Sequence, residues 1–171
     1  MKKKTNIITI SGFAGAGKTT LGKLLAKKLR YRFIAPTFKD LAKKEGISLM
    51  EFHRRAEKNP NIDRKFDNYI KKEARKGNCV IATWLAPWMV KNSLKIWVFA
   101  PLEARARRLA KRDGMSISAA KMHILAREEN NRKRYKKIYN IDIMDYSIFD
   151  LCFNTKTFKP KEMVDIIMKV I

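Results

Sequence analysis

The pattern G-x-x-x-x-G-K-T at residues 12–19 constrains the fold more than any other feature of the chain. The apolar run Ile7-Ile8-Thr9-Ile10 precedes it, and leucines at helical spacing follow it from Leu21 to Leu29. Strand, loop and helix therefore come in the order of a phosphate-binding loop, in which glycines let backbone amides turn toward an anion. The alternative, a glycine-rich turn without a ligand, does not explain the lysine and threonine that close the pattern.

The same pattern predicts which atoms of the loop contact a nucleoside triphosphate. Lys18 is placed to reach the β- and γ-phosphates, and the hydroxyl of Thr19 is placed to ligate Mg²⁺. We expect the nucleotide to be bound by Gly12, Phe13, Ala14, Gly15, Ala16, Gly17, Lys18, Thr19 and Thr20.

The composition indicates one domain that is attracted to polyanions. A chain of 171 residues with 46% hydrophobic residues can fill a single core. Lysine and arginine outnumber aspartate and glutamate by 39 to 16, which gives a formal charge of +23. Such a charge favours nucleotides, RNA or acidic membrane surfaces as partners, without selecting among them.

Cysteine usage and the N-terminal sequence predict a soluble, cytoplasmic protein. Cys79 and Cys152 each lie in an apolar run, so we expect two buried free thiols in a reducing compartment. The run Lys2-Lys3-Lys4 is followed at once by a short strand, which leaves no room for the apolar region of a signal peptide. No segment approaches the ~18 apolar residues of a membrane span.

Apolar runs alternate with helical patterns along the chain, which predicts an α/β fold. Strands are expected at residues 7–10, 30–35, 79–84, 94–100 and 151–154, with helices between them and a closing helix at 161–171. The segment 38–76 should form three helices, with breaks at Gly46-Ile47-Ser48 and at Asn59-Pro60-Asn61 and a capping box from Ser48 to Glu51. This alternation predicts a parallel five-stranded sheet with helices on both faces.

Arginines recur at helical spacing in a basic helical hairpin at about residues 105–135. Arg105, Arg108 and Arg112 fall on one helix face, and Arg127 and Arg134 fall on one face of the next helix. Guanidinium groups stabilise the charge that spreads over a phosphoryl group during transfer, so the hairpin is typical of a closing lid. A solvated basic face, or one that binds RNA, is the alternative.

A few other side chains have two interpretations. Asp63 and Asp67 are placed to contact an acceptor base or ribose, but ion pairs with Lys71 and Arg64 are the favoured interpretation. Trp84, at the carboxyl end of its strand, is placed to stack on a base, whereas Trp97 should belong to the core. His53 and His123 have no second ligand at metal spacing, which favours structural or solvent-facing roles.

Motifs over nearly the whole chain resemble the nucleoside monophosphate kinases, and most closely the archaeal cytidylate kinases. Besides the phosphate loop, these are Leu41-Ala42-Lys43 with Gly46-Ile47-Ser48-Leu49, Asn59-Pro60 before Ile62-Asp63-Arg64, Leu85-Ala86 with Trp88-Met89, Arg108-x-x-x-Arg112-Asp113-Gly114, Arg127-Glu128-Glu129 with Arg134-Tyr135 and Tyr139, and Tyr146-Ser147-Ile148-Phe149-Asp150-Leu151 before Asn154-Thr155. The later motifs are more specific than the loop, which many unrelated enzymes share.

The resemblance implies a P-loop kinase that transfers the γ-phosphoryl group of ATP to a pyrimidine monophosphate, CMP or dCMP. It implies a single domain over residues 1–171, in which residues 37–76 close over the acceptor and residues 105–135 close over the donor. Together with the residue analysis, it assigns transfer to Lys18, Arg108, Arg112, Arg127 and Arg134, and acceptor binding to Lys39, Asp63, Asp67 and Trp84. Lys39 stands where family members have an arginine that grips the acceptor phosphate.

Two turns depart from the pattern of that family. Phe33-Ile34-Ala35 stands where relatives have Ser-Ala-Gly, and Ala82-Thr83-Trp84-Leu85 stands where they have Glu-Gly-Arg-Leu. An arginine that helps to hold the acceptor and an acid that supports the metal are therefore missing. A second hypothesis is accordingly an RNA- or ribosome-associated ATPase of adenylate-kinase-like fold, which also accounts for the positive charge. A pure RNA-binding module does not account for the intact phosphate loop.

Overall fold

The computed structural model describes residues 6–171, so the run Lys2-Lys3-Lys4 lies outside the described residues. The elements in chain order are β1 (Ile7–Gly12), α1 (Lys18–Leu29), β2 (Arg32–Ile34), α2 (Phe38–Lys44), α3 (Leu49–Lys58), α4 (Asn61–Arg75), β3 (Cys79–Ala82), α5 (Ala86–Met89), β4 (Leu94–Phe99), α6 (Leu102–Asp113), α7 (Ile117–Tyr139), a 3₁₀ turn (Tyr146–Ile148), β5 (Leu151–Asn154) and α8 (Pro160–Val170). Within residues 6–171, no helix combines the length and the apolar character that a bilayer span requires.

The strands form one parallel sheet in the order β2-β3-β1-β4-β5. β1 lies at the centre, with Ile8 opposite Val80 of β3 on one side and opposite Leu94 of β4 on the other. Because all strands run in one direction, their carboxyl ends meet at the edge where β1 leads into the phosphate loop. The predicted five-stranded parallel sheet is confirmed.

Helices cover both faces of this sheet, as the alternating pattern predicts. On one face, α1 and α8 bury Leu25 and Ile167 against Ile8 and Ile10. On the other face, α4 buries Ile70 and Ala74 against Cys79 and Ile81 of β3. Successive residues of each strand thus face opposite layers, which explains why the buried strands read as continuous apolar runs.

Three helices, α2 to α4, are inserted between β2 and β3, where the breaks in the sequence predict them. Thr37 caps α2 in a capping box with Asp40. Ser48 accepts a hydrogen bond from the amide of Glu51 and so caps α3. The predicted reciprocal half of that capping box is absent from the described hydrogen bonds, because the carboxylate of Glu51 pairs with arginines of its own helix.

The two cysteines have different environments. Cys79 in β3 is buried, as predicted, and Trp97 in β4, on the other side of β1, is only 2% exposed. Cys152, however, is exposed, so the prediction that it is buried is wrong. It lies in β5, which is an edge strand of the sheet, and an apolar run does not reveal which strand will occupy the edge.

Candidate active site

A cavity of about 550 Å³ lies at the carboxyl ends of the strands, between the phosphate loop, helices α2 to α4 and the α6–α7 hairpin. Its wall includes every residue for which the sequence predicts a role in transfer or acceptor binding, namely Lys18, Lys39, Asp63, Asp67, Trp84, Arg108, Arg112, Arg127 and Arg134. Of the predicted nucleotide-binding residues, Ala14, Gly15, Gly17, Lys18, Thr19 and Thr20 also line it. Gly12, Phe13 and Ala16 lie behind that surface.

The phosphate loop has the conformation that only glycine adopts easily. Gly15 has a φ of 76°, and a Cβ atom on it would come within 2.8 Å of the Arg105 carbonyl oxygen. Gly12 has a φ of 147°, and its Cβ would overlap the carbonyl oxygen of Val98. After the loop, α1 begins with neither a side-chain cap nor an acidic residue in its first turn. The first amides of α1 are therefore free to bind an anion.

Each carbonyl group of residues 12–16 accepts a hydrogen bond from a side chain. The pairs are Lys18 Nζ with Gly12 O (2.6 Å) and Phe13 O (2.9 Å), Arg105 with Ala14 O (3.2 Å), Arg108 with Gly15 O (3.3 Å), and Thr155 Oγ1 with Ala16 O (2.9 Å). Side chains thus hold the outer side of the loop in place. The protein's own side chains therefore help to fix the conformation of the loop.

Lys18 is a half-buried cation among other cations. Burial is the main cause that lowers the pKa of Lys18 to about 7, and repulsion from Arg127 adds to it. The ammonium group lies 5.0 Å from the centre of the Trp84 ring. Trp84 is therefore next to the lysine of the phosphate loop, in the part of the cavity where phosphate groups rather than a base would lie.

Two further groups at this end of the cavity lack hydrogen-bond partners among residues 6–171. The Nε atom of Arg127 and the Nδ1 atom of His123 are both buried, and neither has a partner in that part of the chain. Burial lowers the pKa of Arg127, and repulsion from Arg112 acts in the same direction. A buried donor without a partner is costly, so a polyanion at this end would satisfy groups that the protein alone leaves unpaired.

Arg105 does not face the cavity, although the sequence places it on one helix face with Arg108 and Arg112. It is 5% exposed and bonds to Ala14 O, Ala100 O and Glu128 behind the loop. Arg108 lines the cavity, but its guanidinium group donates to Gly15 O and to both oxygens of Thr155. These two arginines hold the loop rather than extend into the space above it.

The opposite end of the cavity contains two buried acids. Arg134 Nε donates to Asp63 Oδ2 at 2.8 Å, and both side chains are 3% exposed. Tyr139 donates to Asp67 Oδ2 at 2.6 Å. The favoured interpretation of Asp63 and Asp67 as partners of Lys71 and Arg64 on one helix is therefore wrong, because both acids point inward to α7. The second oxygen of each carboxylate has no hydrogen bond among the described residues.

The environment shifts the titration of both acids. Burial raises the pKa of Asp67 to about 6, and the hydrogen bond from Tyr139 opposes this shift. Burial also raises the pKa of Asp63, while the charge of Arg134 opposes it. Asp67 is thus mostly ionised at neutral pH, and in that form its second oxygen can accept a hydrogen bond.

Both histidines line this cavity, a location that the sequence analysis did not indicate. His53 is 3% exposed, and its Nδ1 atom is 3.2 Å from Asn130 Oδ1. Asn130 Oδ1 accepts from a protonated Nδ1, whereas the Arg134 guanidinium, 3.4 Å from the same atom, donates to an unprotonated one, so Nδ1 has a partner in either tautomer. Among the described residues Nε2 has no hydrogen-bond partner, and burial lowers the pKa of His53 to about 3. His53 is a neutral side chain on the cavity wall.

The mouth of the cavity is bridged by an ion pair. Lys39 of α2 donates to Asp113 at the end of α6, over 3.0 Å, and Arg112 donates to the same carboxylate. These hydrogen bonds, chiefly those from Arg112, hold the pKa of Asp113 well below its usual range. The inserted helices and the hairpin therefore meet across the cavity opening.

Residues 7–157 match the Cytidylate kinase-like family. The chain belongs to that family. A cytidylate kinase of Pyrococcus horikoshii is 46% identical over 174 residues, which covers 100% of this chain and 91% of that protein. A cytidylate kinase of Pyrococcus abyssi is 45% identical, with 100% and 96% covered.

The structural comparison agrees with the fold of a small kinase. Shikimate kinase from Acinetobacter baumannii, solved with shikimate, superimposes with a TM-score of 0.65 at 14% identity and covers 98% of this chain and 93% of its own. This similarity shows a shared fold. As a member of the cytidylate kinase-like family, the chain has the P-loop kinase architecture that its sequence predicts.

Proposed function

We propose that this protein is a nucleoside monophosphate kinase that transfers the γ-phosphoryl group of ATP to CMP or dCMP. The observation that carries the proposal is that one cavity joins a cationic phosphate loop to a wall of buried acceptor groups. Its volume of about 550 Å³ is within the range of pockets for small-molecule ligands. The curated relatives named cytidylate kinase match over the full chain, which supports the same acceptor.

At the donor end, the loop amides and Lys18 would bind the phosphates of ATP. An oxygen of the acceptor 5′-phosphate attacks the γ-phosphorus, a new P–O bond forms, and the bond to the β-phosphate oxygen breaks to release ADP. The attacking oxygen is already ionised, so no general base is required. Arg112 and Arg127 would stabilise the charge on the transferred group. Arg108 would keep the loop in shape, as its contacts with Gly15 and Thr155 suggest.

Magnesium would enter this site bound to ATP. Thr19 lines the cavity and supplies one hydroxyl ligand. The carboxylates of Asp63, Asp67 and Asp113 already bind Arg134, Tyr139 and Arg112, and residues 6–171 contain no cluster of three metal-binding side chains. This donor set fits Mg²⁺, which keeps several waters and phosphate oxygens as ligands. When bound, Mg²⁺ would neutralise charge on the β- and γ-phosphates.

At the acceptor end, the available groups match an exocyclic amine. When ionised, the second carboxylate oxygens of Asp63 and Asp67 can only accept hydrogen bonds. Cytosine offers an amine donor where uracil offers a carbonyl. Lys39 is placed to contact the acceptor phosphate, and Trp84, beside Lys18, is placed to cover it. We propose that residues 37–76 close over the acceptor and residues 105–135 over ATP, in one domain.

An acceptor panel tests this function. ADP release from Mg·ATP would be measured with CMP, dCMP, UMP, AMP, GMP and no acceptor. We expect CMP or dCMP to raise turnover well above the acceptor-free rate, and UMP to be the weaker pyrimidine by about tenfold or more, because it leaves a buried acceptor unpaired. Lys18→Ala should abolish the increase. Equal turnover with every acceptor and without one would contradict the proposal.

The panel also distinguishes the kinase from the second candidate function, an RNA-associated ATPase. The segment Ala82-Thr83-Trp84-Leu85 lacks the arginine and the acid that the family pattern has there, and the chain carries a formal charge of +23. An ATPase of this kind would release ADP without a monophosphate, faster with RNA, and its RNA affinity would fall steeply with salt.

Proton uptake on nucleotide binding tests the electrostatics of Lys18. Because the free pKa of Lys18 is about 7, most of this group is neutral at about pH 8. Phosphate oxygens nearby favour the ammonium form, so binding of Mg·ATP should take up close to one proton, about 0.9. Affinity should therefore fall as the pH rises through 7. Calorimetry in buffers of different ionisation enthalpy measures the uptake. Lys18→Met should take up none, and zero uptake by the wild type would contradict this account.

A further inference from the structure

Arg105 joins three parts of the molecule behind the phosphate loop. Its Nε donates to Ala100 O at the end of β4 (2.9 Å), and one NH group donates to Ala14 O in the loop (3.2 Å) and to Glu128 of α7 (2.5 Å). The guanidinium carbon also lies 5.0 Å from the centre of the Phe13 ring. A buried side chain of α6 thus connects the loop to α7.

The loop requires such a donor because of its own geometry. Amides that turn inward toward an anion leave the carbonyl groups on the outer side, where Ala14 is only 5% exposed. A buried carbonyl without a donor costs free energy, and a guanidinium group supplies several donors in one plane. The backbones of Gly15 and Arg105 also pack closely, because a Cβ on Gly15 would lie 2.8 Å from the carbonyl oxygen of Arg105. The shape of the loop therefore depends on the position of Arg105.

Glu128 fixes Arg105 from the other side and belongs to the helix that crosses the cavity. Its carboxylate is largely buried, and burial raises the pKa of Glu128 while Arg105 opposes this. Two residues further along α7, Asn130 contacts His53 of α3, and Arg134 then binds Asp63 of α4. One helix thus contacts the support of the donor loop and the wall of the acceptor end.

We propose that Arg105 is a positioning residue, which holds the phosphate loop in its ATP-binding shape and, through Glu128, couples the loop to α7. The inference rests on the proposed function only in taking ATP as the ligand of the loop. Arg105 itself touches no substrate. Its effect on ATP passes through the backbone of Ala14 and through Glu128.

Glu128→Gln tests the coupling, because it keeps the size of the side chain and removes its charge. Glu128 raises the pKa of Lys18, so its loss lowers the protonated fraction of Lys18, and the comparison is therefore made at about pH 6, below that pKa. At this pH, removal of a negative charge near the phosphate site would by itself strengthen the binding of ATP phosphates. Loss of the contact between Glu128 and Arg105 predicts the opposite effect, which is weaker binding of ATP. We expect the Kd of Mg·ATP, measured by calorimetry without acceptor, to increase about tenfold, and the Kd of CMP measured alone to be unchanged.

Glu103→Gln is the matched control. Glu103 of α6 binds Arg107 and Lys121 on the surface, so it joins the same two helices without contact to the loop. Its substitution should change ATP affinity by less than about twofold. Glu128→Gln binding ATP as tightly as the wild type, or more tightly, would overturn the inference. Failure of the wild-type protein to bind Mg·ATP would instead overturn the proposed function.

Arg105→Lys provides a second, independent variant. A lysine cannot hold Ala14 O, Ala100 O and Glu128 in one planar fork, so ATP affinity should again fall about tenfold. The double variant Arg105→Lys with Glu128→Gln should bind no more weakly than the weaker single variant, because both changes disrupt one connection. Fully additive losses would contradict the coupling.

In the wild type, ATP should also slow amide hydrogen exchange over residues 117–135. In Glu128→Gln this protection should be lost, and equal protection in the two proteins would contradict the coupling.

Discussion

Replacement of Lys18 by methionine is expected to lower the rate of phosphoryl transfer to CMP by about 10³-fold. Methionine keeps the length of the side chain but removes the ammonium group that would contact the β- and γ-phosphates. The charge is already disfavoured by burial, which lowers the pKa of Lys18 to about 7, so loss of the charge should leave the fold intact. The coupled ADP-release assay measures the rate, and a thermal melt followed by circular dichroism checks the fold.

Lys27→Met is the matched control for this prediction. Lys27 lies near the end of the same helix and is exposed, so its replacement should change the rate by less than about twofold. Comparable losses in both variants would show that a general effect of positive charge, rather than contact with the transferred group, supports turnover.

The second large effect is expected in stability, from the substitution Asp63→Asn. Asp63 and Arg134 form a pair in which both side chains are 3% exposed. The amide cannot neutralise Arg134, which would remain buried with its charge uncompensated. We expect a loss of about 3 kcal/mol or more in the free energy of unfolding. For a chain of this length, the corresponding fall in Tm is about 10 °C.

Glu129→Gln makes the same chemical change at an exposed pair of α7. Glu129 is 47% exposed and contacts Arg132 and Lys133 over 3.4 and 3.3 Å. Its loss should cost about 0.5 kcal/mol or less in urea unfolding. Equal costs for Asp63→Asn and Glu129→Gln would contradict the view that the pair with Arg134 fixes α7 to α4.

The sequence predicts most of the fold because its local signals agree with one another. The strand before the phosphate loop, the cap at Ser48 and the breaks before α3 and α4 all appear where the sequence places them. The exposure of Cys152 could not be predicted, because it depends on the position of β5 at the edge of the sheet. That position follows from how distant segments pair, and no local pattern encodes it.

The composition of the site is more predictable than the role of each side chain in it. Spacing correctly brings Lys18, Arg112 and Arg127 to one cavity, but it cannot tell which arginine of α6 faces the back of the loop. Within their own helix, Asp63 and Asp67 have candidate partners four residues away or nearer. Their actual partners are on α7, which lies 71 and 72 positions further along the chain. Helical periodicity describes neighbours within a helix and gives no information about such contacts.

The fate of a labelled γ-phosphoryl group tests the central claim most directly. The protein would be incubated with Mg·ATP labelled at the γ-phosphate and with CMP, and the labelled products would be separated and counted. The account predicts that the label appears in CDP, with one labelled CDP for each ADP formed. In Lys18→Met, no labelled CDP should form. Label that appears only as inorganic phosphate, at the same rate with and without CMP, would contradict it.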